Sequence, residues 1–298
     1  MRNIAYLSLF LLVLIVSIAA LGQAGRKPVM QMGVVTLNVR NLDSEMRFYS
    51  DVLSLDVLEE TQETALLGKG KPLIRLVSRQ DLQAPKDEDN GLYHVALLYS
   101  SRPHLARTLY NAIMKSEDSY SGSANHTVSE AFYFTDPEGN GIELYFDIDK
   151  SMWQWANGSV RMETGRLDAV DYIKKNIGSE TGNVSVRHVH LKGADIAAAK
   201  AFYQEVLGFD ITSESGSAVF FASGGDHHNL AVNTWISKGS PPRRETLGLG
   251  SFEIILSEKD LKKVAARLDE KKVAYGAQDK EVYLSDPFGS KILLRVGP

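Results

Sequence analysis

Residues Asn125–Tyr145 read NHTVSEAFYFTDPEGNGIELY and have the form of strand, tight turn and strand. Phe132, Tyr133 and Phe134 are aromatic strand formers. Asp136-Pro137 opens the turn, and Gly139-Asn140-Gly141 closes it with residues that tolerate positive φ. Ile142-Glu143-Leu144-Tyr145 begins the return strand, and Glu143 is its odd member. A carboxylate between Ile and Leu on a core strand is costly to bury unless a Lys or Arg, a wet edge or a metal ion meets it.

The turn recurs. Asp136-Pro137-Glu138-Gly139-Asn140-Gly141-Ile142-Glu143-Leu144 returns as Asp286-Pro287-Phe288-Gly289-Ser290-Lys291-Ile292-Leu293-Leu294. The run Phe48-Tyr49-Ser50-Asp51-Val52-Leu53 likewise returns as Phe202-Tyr203-Gln204-Glu205-Val206-Leu207. The two halves are therefore copies of one domain. Each half splits again, giving four βαβββ modules that open near Val34, His94, His188 and Phe252. This predicts an α+β chain with one domain over residues 30–148 and a second over 183–298. Residues 149–182 between them read as a polar, irregular surface linker with a helical turn near Val170–Lys174, anchored by Trp153 and Trp155.

Composition bounds the function. The chain has 298 residues, a net charge of -4 and no cysteine. It has no basic patch, which speaks against nucleic acid. Residues 1–24 carry Arg2, an apolar run from Ile4 to Leu21 and small residues, the pattern of a secretory signal peptide. The run also approaches the length of a membrane anchor, so the expectation is a secreted chain or one held by a single N-terminal span. Without disulfides, such a chain must be held by its core. Asn125, Asn157 and Asn183 open Asn-x-Ser/Thr triplets, a weak glycosylation signal.

Of the 7 histidines, His104 reads as part of an exposed helix face. His94 and His188 open strands, His126 precedes the Tyr133 strand, and His227-His228 precedes Asn229-Leu230-Ala231-Val232. His190 is expected to point to the opposite face from His188 by strand alternation, so at most one of the two faces a common site, and His188 is the one aligned with His94. Singly, each has a structural explanation as a hydrogen-bonded core or loop residue. Jointly, two imidazoles and a carboxylate on strand termini form the donor set of a facial triad that leaves open positions on Fe(II).

On the Phe-Tyr helices, Leu92-Tyr93-His94, the Ser129–Glu143 strand and turn, Arg187-His188-Val189-His190-Leu191 and His227-His228, the chain resembles the vicinal oxygen chelate superfamily. Within it, the chain is most similar to two-domain extradiol catechol 2,3-dioxygenases. The resemblance implies that His94, Glu143 and His188 are metal ligands for Fe(II), with Mn(II) as an alternative. It implies that His228 is the acid/base histidine and that Tyr133 and His126 hold substrate. The implied substrates are an aromatic diol and O2, in aromatic catabolism, with self-association as the one assembly it raises. Val34, Phe252 and Leu293 stand where further ligands would be, so the triad is complete only if the second and third modules face each other. A glyoxalase-like metal-dependent isomerase or lyase, or a non-catalytic binding protein, are the competing expectations.

Overall fold

The structure, a computed structural model, describes residues 29–297. The signal or anchor segment, residues 1–24, lies outside the described residues. Among the described residues no helix is long and apolar enough to cross a membrane.

Four stretches share one order of elements. In the first, β1 (Gln31–Val39) leads into α1 (Leu42–Arg47), a π-helical turn over Phe48–Val52, then β2 (Asp56–Glu60), β3 (Thr64–Gly68) and β4 (Pro72–Ser78). The second runs β5 (Gly91–Tyr99), α2 (Arg102–Lys115), β6 (Tyr120–Asn125), β7 (Ser129–Thr135) and β8 (Gly141–Asp147). A connecting region holds β9 (Trp155–Ala156), β10 (Ser159–Val160), β11 (Gly165–Arg166) and α3 (Ala169–Asn176). The third stretch runs β12 (Val184–Lys192), α4 (Ile196–Lys200), a π-helical turn over Ala201–Leu207, β13 (Asp210–Ser215), β14 (Ala218–Ala222) and β15 (Leu230–Asn233). The fourth runs β16 (Gly248–Leu256), α5 (Glu258–Glu270), β17 (Tyr275–Gln278), β18 (Glu281–Ser285) and β19 (Lys291–Val296).

Side-chain caps start the helices: Asn41, Ser101, Asp168, Asp195 and Ser257 each accept a hydrogen bond from an N–H of the first turn. Such caps satisfy donors that the helix itself cannot.

The strands form an α+β protein with two large sheets that cut across the sequence halves. An 8-stranded sheet of order β17-β18-β19-β16-β1-β4-β3-β2 joins the first and fourth stretches. A 9-stranded sheet of order β11-β6-β7-β8-β5-β12-β15-β14-β13 joins the second and third. Neither sheet is contained in residues 30–148 or in residues 183–298. The seams are antiparallel, β1 against β16 and β5 against β12. One apolar core extends from Leu37 and Leu53 through Val95 and Phe132 to Phe252 and Leu294.

Within each half, a helix braces the recurring turn. Tyr49 donates its hydroxyl to Asp136 at 3.1 Å, and Tyr203 donates to Asp286 at 2.7 Å. Asp136 Oδ1 also accepts from the backbone of Glu138 and Asn140, and Asp286 Oδ1 from that of Phe288 and Ser290. Gly139 and Gly289 take positive φ at these turns. At Gly141 the need is space, because a Cβ there would stand 2.1 Å from the Tyr93 carbonyl oxygen. The β8 strand thus enters directly beside the residue that precedes His94.

The connecting region differs from the expected irregular linker. β11 pairs with β6 at the edge of the large sheet, β9 and β10 form a hairpin, and α3 packs on α2. Trp153 is buried with Val128 and Val160 and donates to the Ile148 carbonyl at 2.9 Å, whereas Trp155 is exposed.

One buried carboxyl stands apart from this order. Glu45 on α1 is fully buried, and among the described residues neither carboxyl oxygen makes a hydrogen bond of ordinary geometry, although the Asp136 carboxyl and the Glu138 backbone lie close by. Burial, with the Asp136 carboxylate nearby, pushes it up to about 9. Ala199 holds the equivalent place on α4 and is buried without difficulty. Folding therefore takes up a proton at Glu45 between its ordinary value and about 9, and stability falls as pH rises through that window. We expect Glu45→Gln to flatten the pH dependence of unfolding, measured by urea melts from pH 5 to 8.5. The term removed is at most about 1.4 kcal/mol per pH unit. An unchanged slope would mean that Glu45 is ionised in the fold.

Candidate metal centre

Three neighbouring strands of the large sheet supply three donors. β5 carries His94, β8 carries Glu143 and β12 carries His188. Across the β5–β12 seam, Ala96 is opposite His188; across the parallel β5–β8 pair, Ala96 is opposite Glu143. Residues opposite one another in register share a sheet face, and so do residues two apart on one strand. His94, Ala96, Glu143 and His188 therefore project to one side. Ala96 leaves the floor of the site low enough for the longer side chains to meet above it.

The three donors converge. His94 Nε2 lies 2.9 Å from Glu143 Oε2, His188 Nε2 lies 3.2 Å from the same oxygen, and the two Nε2 atoms are 3.3 Å apart. All three residues are buried. Among the described residues this is the one group of three such donors close enough to share an ion. Hydrogen bonding alone serves it poorly. If both Nε2 atoms carry protons, two N–H groups crowd one oxygen; if one does not, its lone pair faces a carboxylate. A cation satisfies all three lone pairs. Donors about 2.1 Å from a common ion stand about 3.0 Å apart when cis in an octahedron and about 3.4 Å apart in a tetrahedron. The observed separations span these values, so the residues fit a metal ion.

The protonation states agree with ligation. Burial drives His188 down to about 4, so its imidazole is neutral near pH 7. Burial alone would raise Glu143, but the imidazoles of His188 and His94 overcome it and hold the carboxyl well below the usual range. His188 Nδ1 has no hydrogen-bond partner among the described residues. Its ring is oriented by packing instead, 4.0 Å from the His228 ring and 5.3 Å from the Tyr145 ring.

The centre opens into a cavity of about 860 Å³. His94, Glu143, His228, Tyr133 and His126 all line it. His228 is buried against His188, and burial among its neighbouring imidazoles drives it well below its ordinary value. Tyr133 is the cross-strand partner of Glu143. Burial and the Glu143 carboxylate push its phenol up, so it keeps its proton near neutral pH. Tyr133 Oη lies 2.7 Å from His126 Nε2, and His126 Nδ1 lies 3.2 Å from the Glu163 carbonyl oxygen. A carbonyl only accepts, so the His126 proton is on Nδ1 and Tyr133 donates to Nε2. The phenol oxygen is left with lone pairs toward the cavity.

Two histidines differ from expectation. His190, expected to be absent from the common site, lies on the same face as His188 because residues two apart on a strand project together. It is the cross-strand partner of His94, its ring centroid is 4.9 Å away, and it lines the cavity. Asn233 Nδ2 donates to its Nε2 at 3.1 Å. His104, read as exposed, is buried at the start of α2, with Nδ1 3.1 Å from the Gly182 carbonyl oxygen. Its helix face is covered by the end of the connecting region.

Other cavity residues carried no signal of their own. Met162, Glu163 and Thr164 come from the connecting region, and Tyr93, Trp235 and Ile236 form an apolar wall at the mouth. Tyr93 and Trp235 pack edge to face with centroids 5.1 Å apart, yet remain 40% and 51% exposed. The 8-stranded sheet has Val34, Ser251 and Leu293 at the positions corresponding to the donors. Phe252, expected there, pairs with Val35 and Ile292 as Val95 pairs with Val189 and Ile142, so it is one residue past the His94 position and faces the buried core.

Comparison with known proteins identifies the family of the chain. The family model described as Glyoxalase/Bleomycin resistance protein/Dioxygenase superfamily matches residues 31–144 and 185–292. Catechol-2,3-dioxygenase of Bacillus subtilis (strain 168) is 33% identical over 263 residues, spanning 84% of this chain and 90% of that protein. Among solved structures, a putative dioxygenase from Bacillus subtilis subsp. subtilis str. 168 superposes with a TM-score of 0.60 at 14% identity, covering 92% of this chain and 87% of the other. Glyoxalase I from Zea mays superposes with a TM-score of 0.54 at 15% identity, covering 90% and 92%. The chain belongs to the Glyoxalase/Bleomycin resistance protein/Dioxygenase superfamily.

Proposed function

We propose that the protein is an extradiol dioxygenase that opens catechol-type rings with O2 at a non-haem Fe(II) centre held by His94, Glu143 and His188. The observation that carries this reading is the convergence of two imidazoles and one carboxylate in a cavity that also holds His228, Tyr133 and His126. A 33% identical relative named catechol-2,3-dioxygenase supports it. When bound, the iron supplies open positions for the two substrate oxygens and for O2, and a charge that acidifies the diol.

The chain's own residues do the rest. His94, Glu143 and His188 hold one face of the site and leave the cavity side open. His228 removes a proton from the diol and later returns it, a task suited to an imidazole. Tyr133, donating to His126, turns its phenol lone pairs toward the second substrate hydroxyl and fixes the ring's orientation. Both atoms of O2 enter the product, a 2-hydroxymuconic semialdehyde, so no outside reductant is consumed. The cavity far exceeds a bare catechol, and its apolar wall of Tyr93, Trp235 and Ile236 suits a ring with an apolar substituent. Export, read from residues 1–24, is part of the same proposal.

The test is anaerobic reconstitution with Fe(II), then catechol and air. We expect a yellow product with one O2 consumed per ring. A glyoxalase-like isomerase would consume none, and a binding module would need no metal. Glu143→Ala and His188→Ala should lose iron, read by metal analysis. His228→Ala should keep it and lose about 10²–10⁴-fold in kcat; wild-type turnover would remove His228 from this role. Across a series of alkylcatechols, KM should fall about 4-fold for each methylene that reaches the apolar wall. A flat series would place the substituent elsewhere.

A further inference from the structure

His227, beside the proposed acid/base residue, takes no part in the reading above, and neither does Asp147 at the end of β8. Both belong to a line of hydrogen bonds that ends at the cavity. Asp147 Oδ1 lies 2.9 Å from His227 Nε2, and His227 Nδ1 lies 2.7 Å from His228 Nδ1. His227 is 2% exposed and does not reach the cavity wall, whereas His228 does. His228 Nε2 has no hydrogen-bond partner among the described residues.

We propose that Asp147 and His227 are positioning residues that fix the tautomer of His228, so that its Nε2 presents a lone pair to the substrate. This rests on the reading of His228 as the acid/base group. A carboxylate only accepts, so the proton of His227 sits on Nε2. With one proton on each imidazole, His227 then offers a lone pair at Nδ1, and His228 must donate from its own Nδ1. The lone pair of His228 is left on Nε2, the one nitrogen available to take a proton from the diol. With a neutral His227, the reversed arrangement would move its proton to Nδ1 and turn a bare Nε2 lone pair toward the Asp147 carboxylate at 2.9 Å.

The local structure holds this line in place. Asp226, buried just before the histidine pair, forms ion pairs with Lys150 and with Arg187, and accepts from Asn229 Nδ2 at 3.2 Å. Arg187 immediately precedes His188, so the loop bearing His227-His228 is pinned to the strand bearing a proposed ligand. The Trp153 ring closes the other side of His227, edge to face at 5.1 Å. The connecting region thereby supplies the lid over the charge–imidazole line.

Two measurements decide it. Imidazole ¹⁵N NMR of the zinc-loaded, diamagnetic protein reads tautomers without any turnover. We expect His228 protonated at Nδ1 and His227 at Nε2; His228 protonated at Nε2 would overturn the proposal. In the iron enzyme, His227→Leu should lower kcat about 10–100-fold with KM within about 2-fold and iron content unchanged. His227→Gln, whose carbonyl oxygen accepts the same hydrogen bond, should return to within about 5-fold of wild type. Equal loss in both variants, or none in His227→Leu, would sink it. If His227→Leu does not fold, Asp147→Ala at the partly exposed end of β8 carries the test: mixed His228 tautomers and a lowered kcat are expected, and wild-type behaviour refutes the idea. Should wild-type protein consume no O2 with any catechol, the dioxygenase reading fails, while the NMR still rules on the tautomer.

Discussion

Everything at the site depends on one seam, the antiparallel pairing of β5 with β12. That pairing sets Ala96 opposite His188 and His94 opposite His190, and it is the step that brings donors from the two sequence halves within hydrogen-bonding distance. A slip of one residue would turn His188 to the other face of the sheet, because side chains alternate. The register is specified from several directions. Val95, Val189 and Leu191 are fully buried on the opposite face, and an irregularity beside Arg187 adjusts the strand just before the ligand position. Core packing, through register, thus determines where the charged atoms lie.

The second requirement is that β8 lie close alongside β5. Gly141 permits this approach, and the Asp136 turn, braced by Tyr49, fixes where β8 begins. The same device without the ligands appears at Asp286 and Tyr203, where Leu293 replaces the carboxylate. The two large sheets are thus alike in scaffold and unlike in chemistry. One keeps a polar, open face with three donors, and the other has Val34, Ser251 and Leu293 at the corresponding positions.

Much of this could be read from the residues. Glu143 is conspicuous because a carboxylate between Ile and Leu requires a partner, and the repeated Asp-Pro turn identifies its structural setting. His94 and His188 follow from their matching places in equivalent strands, although the structure sets them inside β5 and β12 rather than at the strand starts expected from the sequence. What was not legible depends on contacts between distant segments. His104 looks exposed on its own helix until Gly182 covers it. Met162 and Glu163 carry no chemical signature, and the pairing of β11 with β6, with the hydrogen bonds between Glu163 and His126, brings that region to the cavity. The line from Asp147 to His227 spans 80 positions of sequence. No spacing rule connects them; the adjacency of β8, β5 and β12 does.

The order of the sheets also has a bearing on how the chain is made. The nine-stranded sheet can be complete once residue 233 has emerged, since all its strands lie before that point. The other sheet cannot. β1 is among the first strands synthesised, yet its antiparallel neighbour β16 comes some two hundred residues later. Until then β1 keeps an unsatisfied flank, the kind of edge that recruits foreign strands. The polypeptide therefore has its chemistry in a part that can close early, and its greatest exposure to misassembly in the part that must wait for the last module to arrive.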